Sequence, residues 1–197
     1  MSDYIKQYLK EKYNKPGEVF LGTVHRIDRP VSGLVIFART SKALERMNKM
    51  FQDKAIQKTY WAVVKNRPPK DSDHLLHYLL KNEKQNKSYT YAEPQGKALK
   101  CELAYKLIAT SDKYFLVEIN PLTGRHHQIR AQLSAIGCPI KGDLKYGFNR
   151  SNEDGSIHLH ARAIRFPHPV TKEELYITAP VPDEVLWNYF DKIEKSI

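Results

Sequence analysis

One carboxylate, Asp28, stands among basic side chains and directly before the strongly apolar end of the segment 24–38. Alternate side chains of an extended chain point to opposite faces, so Arg26 and Asp28 share one side of the segment. Pro30 and Gly33 interrupt the regular backbone just after Asp28, which indicates a turn at the edge of a cleft. Asp28 is therefore the first candidate for a reacting group. A surface aspartate that only neutralises neighbouring arginines is the alternative.

Four blocks of sequence carry the rest of the pattern. The first block is His25-Arg26-Ile27-Asp28-Arg29-Pro30-Val31-Ser32-Gly33, and the second is Lys58-Thr59-Tyr60-Trp61-Ala62-Val63-Val64. The third block is Pro121-Leu122-Thr123-Gly124-Arg125-His126-His127-Gln128-Ile129-Arg130, followed by Gly137-Cys138-Pro139-Ile140-Lys141-Gly142-Asp143 and Tyr146-Gly147. The fourth block, a weaker match, extends from Leu159-His160-Ala161 to His168-Pro169. In this order the blocks resemble the RluA-type pseudouridine synthases. They cover most of the chain from Gly22 to about Pro180.

The chain departs from the family pattern at a few positions. Ile27 replaces the usual Leu, Val31 replaces Thr, and His126 stands where Thr is usual. Family members normally begin with an extra strand and a Lys-Pro segment, whereas this chain begins with a stretch, 1–10, whose apolar positions 5 and 9 suit a short helix. We therefore expect an N-terminally shortened version of the family domain.

The resemblance implies an RNA pseudouridine synthase, an isomerase that breaks the uridine N1–C1′ bond, rotates the base and rejoins it through C5. It implies Asp28 as the nucleophile. Tyr60 would pack on the extruded base and assist proton movement, and Arg130 would hold Asp28. The sequence leaves open whether Asp28 attacks C1′, attacks C6 or assists a glycal route. We expect neither a cofactor nor a metal.

Helical geometry gives Arg130 a position of its own. A helix is predicted at about 125–136, with Ile129 and Leu133 on its buried face and Gly137 ending it. Successive residues lie 100° apart around a helix, so Arg130 borders this stripe and enters the cleft. There its guanidinium can clamp a carboxylate through paired hydrogen bonds. A structural ion pair without a catalytic role is the alternative.

Several other polar side chains of the motifs are candidates for RNA contact. Arginine offers a planar fork of donors that stays charged, which suits phosphate or the space left by an extruded base. The predicted RNA-binding residues are Arg26, Arg29, Arg125, His127, Gln128 and Lys141. Each arginine could equally be an ordinary surface cation.

The histidines require separate treatment, because His126-His127 and the pair His158 and His160 could indicate a metal site. No acidic or cysteine partner has convincing ligand spacing, so we favour structural or RNA-contacting roles. Two other functions stay open. One is a non-catalytic RNA-binding protein that retains the fold, and the other is a metal-dependent nuclease that uses these histidines.

Composition agrees with an RNA partner. The 197 residues include 32 Lys and Arg against 22 Asp and Glu, a formal net charge of +10, and the pI is near 9.5. Such a charge favours a polyanionic partner such as nucleic acid, and the family resemblance implies that this partner is ribosomal or transfer RNA. Two distant cysteines suggest no disulfide framework, and no apolar run approaches a membrane span. We expect one catalytic domain over residues 1–197 without a separate RNA-binding domain, a monomer, and a cytoplasmic location without membrane contact.

Strands outnumber helices in the hydrophobic pattern. Strands are predicted at 22–27, 33–38, 58–64, 99–108, 114–119, 157–166 and 175–178. Helices are predicted at 41–51 with Ser41 as N-cap, at 125–136 and at 183–193, while 66–73 reads as a loop and 81–87 as a hairpin or loop. The predicted fold is α+β, a mixed, mainly antiparallel sheet with a few packed helices and a central RNA-binding cleft.

Overall fold

A computed structural model describes residues 1–195. Its helices are α1 (Ser2–Lys12), α2 (Ser41–Gln52), α3 (Gln128–Ala135), α4 (Val185–Glu194) and a 3₁₀ turn (Leu144–Tyr146). Its strands are β1 (Gly22–Thr23), β2 (Ser32–Gly33), β3 (Phe37–Ala38), β4 (Gln57–Val64), β5 (Ser72–Asn82), β6 (Lys87–Tyr91), β7 (Leu99–Thr110), β8 (Phe115–Pro121), β9 (Leu159–Pro167) and β10 (Glu174–Thr178). Over these residues, no helix combines the length and apolarity that a membrane crossing requires.

The chain divides into two compact units. The first unit comprises Met1–Ile27, Val35–Ile56 and Arg165–Leu175, and the second comprises Asp28–Leu34, Gln57–Ile164 and the chain from Tyr176 onward. All three residues predicted to be catalytic belong to the second unit. The single catalytic domain expected over residues 1–197 stays a prediction.

In the first unit, the two strands predicted on either side of Asp28 are much shorter than expected. β1 and β3 pair antiparallel over only two positions, Gly22 with Ala38 and Thr23 with Phe37. Next to this pair the N–H of Val24 donates to the carbonyl of Ile36 at 3.3 Å, whereas the N–H of Ile36 donates to the imidazole Nε2 of His25 at 3.1 Å. That N–H is then not available to a neighbouring strand.

Helix α2 of the first unit is confirmed, but its N-cap differs from the prediction. The Thr40 hydroxyl accepts the backbone N–H of Ala43 at 3.1 Å, and Ser41 is the first helical residue. Met47 of the predicted apolar stripe is buried. The predicted N-terminal helix also forms, as α1, and it buries Leu9.

One large sheet has the strand order β10-β9-β4-β8-β7-β5-β6, and β2 joins it by pairing with β9. Most of this sheet belongs to the second unit. The β4–β8, β8–β7, β7–β5 and β5–β6 pairs are antiparallel, whereas β2 runs parallel to β9. Helix α3 packs against β5 and β6. On α4, Trp187 and Phe190 bury against Trp61, Val63 and Leu116. The predicted α+β class is confirmed.

Strands β5 and β6 were not predicted as strands. Neighbouring leucines and interspersed histidines in β5 obscure the two-residue alternation that marks a half-buried strand, and β6 is mostly polar. The segment 81–87 was predicted as a hairpin or loop, and it forms the hairpin turn in which Asn82 pairs with Lys87.

The backbone that carries Asp28 is fixed on both sides of a turn. The carbonyl of Asp28 accepts the N–H of Val31 at 2.9 Å, and the carbonyl of Pro30 accepts the N–H of Ile157 at 2.9 Å. Gly33 then pairs with Ala161 of β9. Gly33 has a φ of +113°, and a Cβ there would lie 2.6 Å from the Ala161 nitrogen and closer still to its carbonyl oxygen. Only glycine permits this approach, and it sets the position of the Asp28 turn.

We expect Gly33→Ala to lower the free energy of unfolding by at least about 2 kcal/mol, since the new methyl group meets rigid backbone at an unfavourable φ. Urea unfolding measures the loss. Gly155→Ala, which shares a positive φ but has open space around it, should cost about 1 kcal/mol. Gly17→Ala, in open space, should be near neutral. Equal stabilities for all three variants would contradict the role given to Gly33.

Candidate active site

Arg130 of α3 joins two carboxylates. Its Nη1 donates to Oδ2 of Asp28 at 3.1 Å, while its Nε and Nη2 donate to Oδ2 and Oδ1 of Asp143 at 2.7 and 2.8 Å. The side chains of Arg130 and Asp143 are 6% and 1% exposed, whereas that of Asp28 is 30% exposed. Asp143 therefore fixes the guanidinium from the interior, and Asp28 is the carboxylate that a substrate can reach.

The paired hydrogen bonds predicted for Arg130 form, but with a different partner. The prediction placed the bidentate contact on Asp28, whereas the structure places it on Asp143 and leaves one bond for Asp28. The loop after α3 returns along β4, where the N–H of Lys141 donates to the carbonyl of Val63 at 2.9 Å. This return brings Asp143 to the Nε edge of the guanidinium. Asp143 was part of the quoted third motif, but no role had been assigned to it.

Helix α3 begins three residues later than predicted, because the chain before it is held by the side chain of Gln128. Its Oε1 accepts from the Thr123 hydroxyl at 2.8 Å and from the Arg125 N–H at 3.0 Å. Its Nε2 donates to the carbonyl of Glu102 at 2.9 Å. Gln128 was predicted to bind RNA, but it is 4% exposed and its amide is used within the protein. The structure thus gives it a structural position in place of a surface contact.

His127 lies beside the carboxylate of Asp28. Its Nε2 is 3.6 Å from Oδ2 of Asp28, and its Nδ1 is 3.0 Å from the hydroxyl of Tyr146. That hydroxyl accepts the backbone N–H of Ser88 at 2.9 Å. A left-handed φ of +52° at His127 turns the chain into α3 and places the ring here. His127 was predicted to contact RNA, and the structure places its ring between Asp28 and Tyr146.

The imidazole of His127 is neutral at pH 7. Burial, with a further contribution from the positive charge of Arg130, lowers the pKa of His127 to about 4 even though Asp28 acts in the opposite direction. The neighbouring ring of His126 stacks on it with centroids 3.8 Å apart. Arg130 therefore supplies the positive charge next to Asp28, and His127 supplies a polar but uncharged neighbour.

Tyr60 projects from β4 at the position where this strand pairs with Ile119 of β8. Burial, together with the negative charge of Asp28, raises the pKa of Tyr60 to about 12. The hydroxyl therefore keeps its proton at neutral pH, so that it can donate a hydrogen bond or a proton rather than act as a phenolate base. Of the three residues predicted to be catalytic, Asp28 and Arg130 are in direct contact, and Tyr60 lies close enough for the charge of Asp28 to act on its hydroxyl.

The remaining candidates for RNA contact have other positions. Arg26 and Arg29 are exposed, and the exposed Arg125 donates through Nε to the carbonyl of Lys100 at 3.4 Å. Lys141 donates through Nζ to Asn152 at 2.9 Å, and burial lowers the pKa of its ammonium. Their contact with RNA stays a prediction.

The second histidine pair belongs to the interior. His158 lies 3.1 Å from a carboxylate oxygen of Glu184 and stacks on Trp187, and His160 lies 2.8 Å from the hydroxyl of Ser32. These contacts agree with the structural role that we favoured. Among the side chains of residues 1–195, no group of three His, Cys, Asp or Glu is arranged to hold a metal ion.

Comparison with known proteins points to one family. A family model described as RNA pseudouridylate synthase matches residues 2–135. Ribosomal large subunit pseudouridine synthase C of Vibrio vulnificus (strain CMCP6) is 36% identical over 177 residues, which are 87% of this chain and 55% of that protein. tRNA pseudouridine synthase C of Vibrio parahaemolyticus (serotype O3:K6, strain RIMD 2210633) is 30% identical over 200 residues, 92% of this chain and 79% of that protein.

A solved structure has the same fold. Human RNA Pseudouridylate Synthase Domain Containing 4 superposes with a TM-score of 0.78 at 22% identity, covering 98% of this chain and 82% of that one. At this identity the likeness concerns the fold alone. The chain spans about half the length of the ribosomal large subunit relatives that it matches, 55% and 54% for two of them.

The depressed pKa of His127 predicts a pH-dependent stability. The unfolded chain takes up this proton near pH 6.5 and the folded chain only near pH 4, so the free energy of unfolding falls as the pH drops between these values. His127→Gln removes the titrating group, and we expect it to reduce the loss between pH 7 and pH 4 by about 1–3 kcal/mol.

Urea unfolding at the two pH values measures the effect. Gln95→Ala is the control, because Gln95 is exposed and carries no titrating group, and it should keep the pH dependence of the parent. Parallel pH profiles for the parent and His127→Gln would contradict a neutral, buried His127.

Proposed function

We propose that this chain, which belongs to the RNA pseudouridylate synthase family, isomerises uridine to pseudouridine in RNA. The observation that carries the proposal is the partly exposed carboxylate of Asp28, held at 3.1 Å by the buried guanidinium of Arg130. We assign the nucleophile of the reaction to Asp28, as the family resemblance implies. The activity of the whole protein is proposed on this basis.

The reaction itself defines what the site has to do. The bond between N1 and C1′ breaks, a bond between C5 and C1′ forms, and the proton of C5 is lost while N1 gains one. Substrate and product are isomers, so the overall reaction consumes no oxidant, reductant or second substrate. The site must therefore supply a nucleophile, hold the detached base while it rotates, and move a proton.

Asp28 and Arg130 meet the first requirement. The carboxylate attacks C1′ or C6, or it removes a proton on a glycal route, and in each case negative charge on Asp28 is needed at the start. Arg130 stabilises that charge through one hydrogen bond, and its own orientation is fixed by the two bonds to Asp143. Because His127 is neutral, it does not compete with Arg130 as a second cation at Asp28.

Tyr60 meets the other two requirements. Its ring offers a flat apolar surface on which an extruded uracil can stack, as aromatic side chains do for flipped bases. Its hydroxyl, which stays protonated up to about pH 12, can donate to the base or return a proton to it. A phenolate would instead repel the carboxylate of Asp28.

The substrate that we propose is ribosomal or transfer RNA, since the similar proteins are named for these two RNAs. The formal charge of +10 favours such a polyanion. A monomeric state and a cytoplasmic location are part of the same proposal. Mapping of pseudouridines in total RNA from cells with and without the gene would identify the RNA and the position, and an unchanged map would contradict the proposal.

With the purified protein, we expect Asp28→Asn to abolish isomerisation, because the amide keeps the shape of the carboxylate but is not a nucleophile. RNA affinity and thermal stability should stay close to those of the parent. Release of the C5 proton from tritium-labelled uridine in the RNA identified by that mapping measures turnover. Asp71→Asn is the matched control, since Asp71 pairs with Arg67 at an exposed position. Substantial turnover by Asp28→Asn would contradict the assignment of Asp28 as the nucleophile. If the parent protein bound this RNA without turnover, the non-catalytic RNA-binding alternative would be favoured.

A further inference from the structure

An aromatic surface lies on the hairpin formed by β5 and β6. In the register of these strands, Leu80 is directly opposite Tyr89 and Tyr78 is directly opposite Tyr91. Directly opposed side chains of paired strands lie on the same face, so these four side chains form one patch, which we call the hairpin platform. Ser88 is the next residue along β6 and points to the other face.

The hairpin platform is not buried by the rest of the chain. Tyr89 is 39% exposed, and Tyr78, Leu80 and Tyr91 are partly exposed. A surface cavity of about 470 Å³ opens here, lined by Leu80, Lys81, Asn82, Gln85, Tyr89 and Tyr91. The Tyr89 hydroxyl donates to the amide oxygen of Gln85 at 2.5 Å, which fixes the ring. The cavity therefore combines flat aromatic walls with two amide side chains, the groups that stack on a nucleobase and hydrogen-bond its edges.

The rim of this cavity is positively charged. Lys84 is exposed, Lys87 places its ammonium 5.5 Å from the centre of the Tyr89 ring, and Lys81 pairs with Glu83 at 2.6 Å. Lys145 of the 3₁₀ turn donates to the carbonyls of Gln85 and Asn86 at 3.3 and 3.0 Å. The rim thus carries these four lysines and one glutamate, Glu83, and this excess of positive charge favours phosphate.

The platform is connected with the active site around the edge of the sheet. β6 is the last strand of the sheet, and Lys87 lies 5.3 Å from the ring of Tyr146 as well as near Tyr89. A second cavity of about 280 Å³ shares Tyr89 with the first, and its lining also includes Lys87, Ser88 and Tyr146. Tyr146 in turn contacts His127, which lies beside Asp28. A strand of RNA that passes the β6 edge would therefore meet both sites.

We propose that the hairpin platform binds an unpaired nucleotide of the RNA, with its base stacked on Tyr89 and Tyr91 and its phosphates near Lys84 and Lys87. That this RNA is the strand carrying the target uridine rests on the proposed function. Lysines alone would also be expected on an edge strand as protection against edge-to-edge pairing. They would not need an exposed aromatic face with a cavity beside it, and single-stranded RNA is the occupant that uses both features.

The test uses fluorescein-labelled oligocytidylate of about 12 nucleotides, which is single-stranded and contains no uridine. Fluorescence anisotropy with the full chain measures its dissociation constant. We expect Tyr89→Ala to weaken binding by about 5- to 100-fold, the range that loss of one base stack implies. Tyr89→Phe keeps the ring and should stay within about threefold of the parent. Lys84→Ala should reduce the dependence of affinity on salt concentration.

Two matched controls accompany these variants. Tyr4→Ala removes a tyrosine of α1 that is 79% exposed, and Lys113→Ala removes an exposed lysine of the β7–β8 turn, and neither should change binding. Any of three results would overturn the proposal that the hairpin platform binds an unpaired nucleotide. These are parent-like binding by Tyr89→Ala, failure of the parent to bind the probe, and equally strong competition by a blunt RNA duplex. Because the probe holds no uridine, none of these results depends on isomerisation, and a chain that lacks turnover yet binds as predicted would refute only the proposed function.

Discussion

The site depends on the burial of one guanidinium. Arg130 is almost entirely removed from solvent, and so is Asp143, which takes two of its hydrogen bonds. A charge in this position is tolerated only when it is paired and its donors are satisfied, and loss of one partner typically costs about 3–5 kcal/mol. Nη1 takes no part in that pair and donates to Asp28. The buried ion pair of Arg130 and Asp143 thus determines the position of the Asp28 carboxylate.

Three stretches of backbone must meet for this ion pair to form. Helix α3 presents Arg130, the loop that ends in Asp143 is bonded to β4 through Lys65 and Lys141, and the turn at Asp28 is fixed by its contacts with Ile157 and β9. Each contact uses backbone groups rather than mobile side chains. The carboxylate, its cation and the tyrosine of β4 are consequently held by the sheet itself, as a preorganised site requires.

The sequence predicts the parts of this site that depend on local chemistry. The turn after Asp28 follows from Pro30 and Gly33, the strand of Tyr60 from its apolar run, and the inward direction of Arg130 from helical spacing. Asp143 could not be identified as the bidentate partner from spacing, because that contact depends on the path of the loop after α3. The place of His127 depends on a left-handed backbone conformation that histidine seldom adopts. Strands β5 and β6 lack a clear alternation, and their pairing is set by neighbouring strands.

In the proposed reaction, the fixed guanidinium of Arg130, and not positive charge alone, positions Asp28 for isomerisation. The single-turnover rate of Arg130→Lys with saturating protein tests it most directly, with Arg67→Lys at the exposed Asp71 pair as the matched control. A point-charge ammonium cannot reproduce the planar fork of guanidinium donors, so we expect Arg130→Lys to react at least about 100-fold more slowly than the parent. Its RNA affinity should stay within about threefold of that of the parent. Arg67→Lys should react at the parent rate. Parent-like turnover by Arg130→Lys would contradict this role of Arg130.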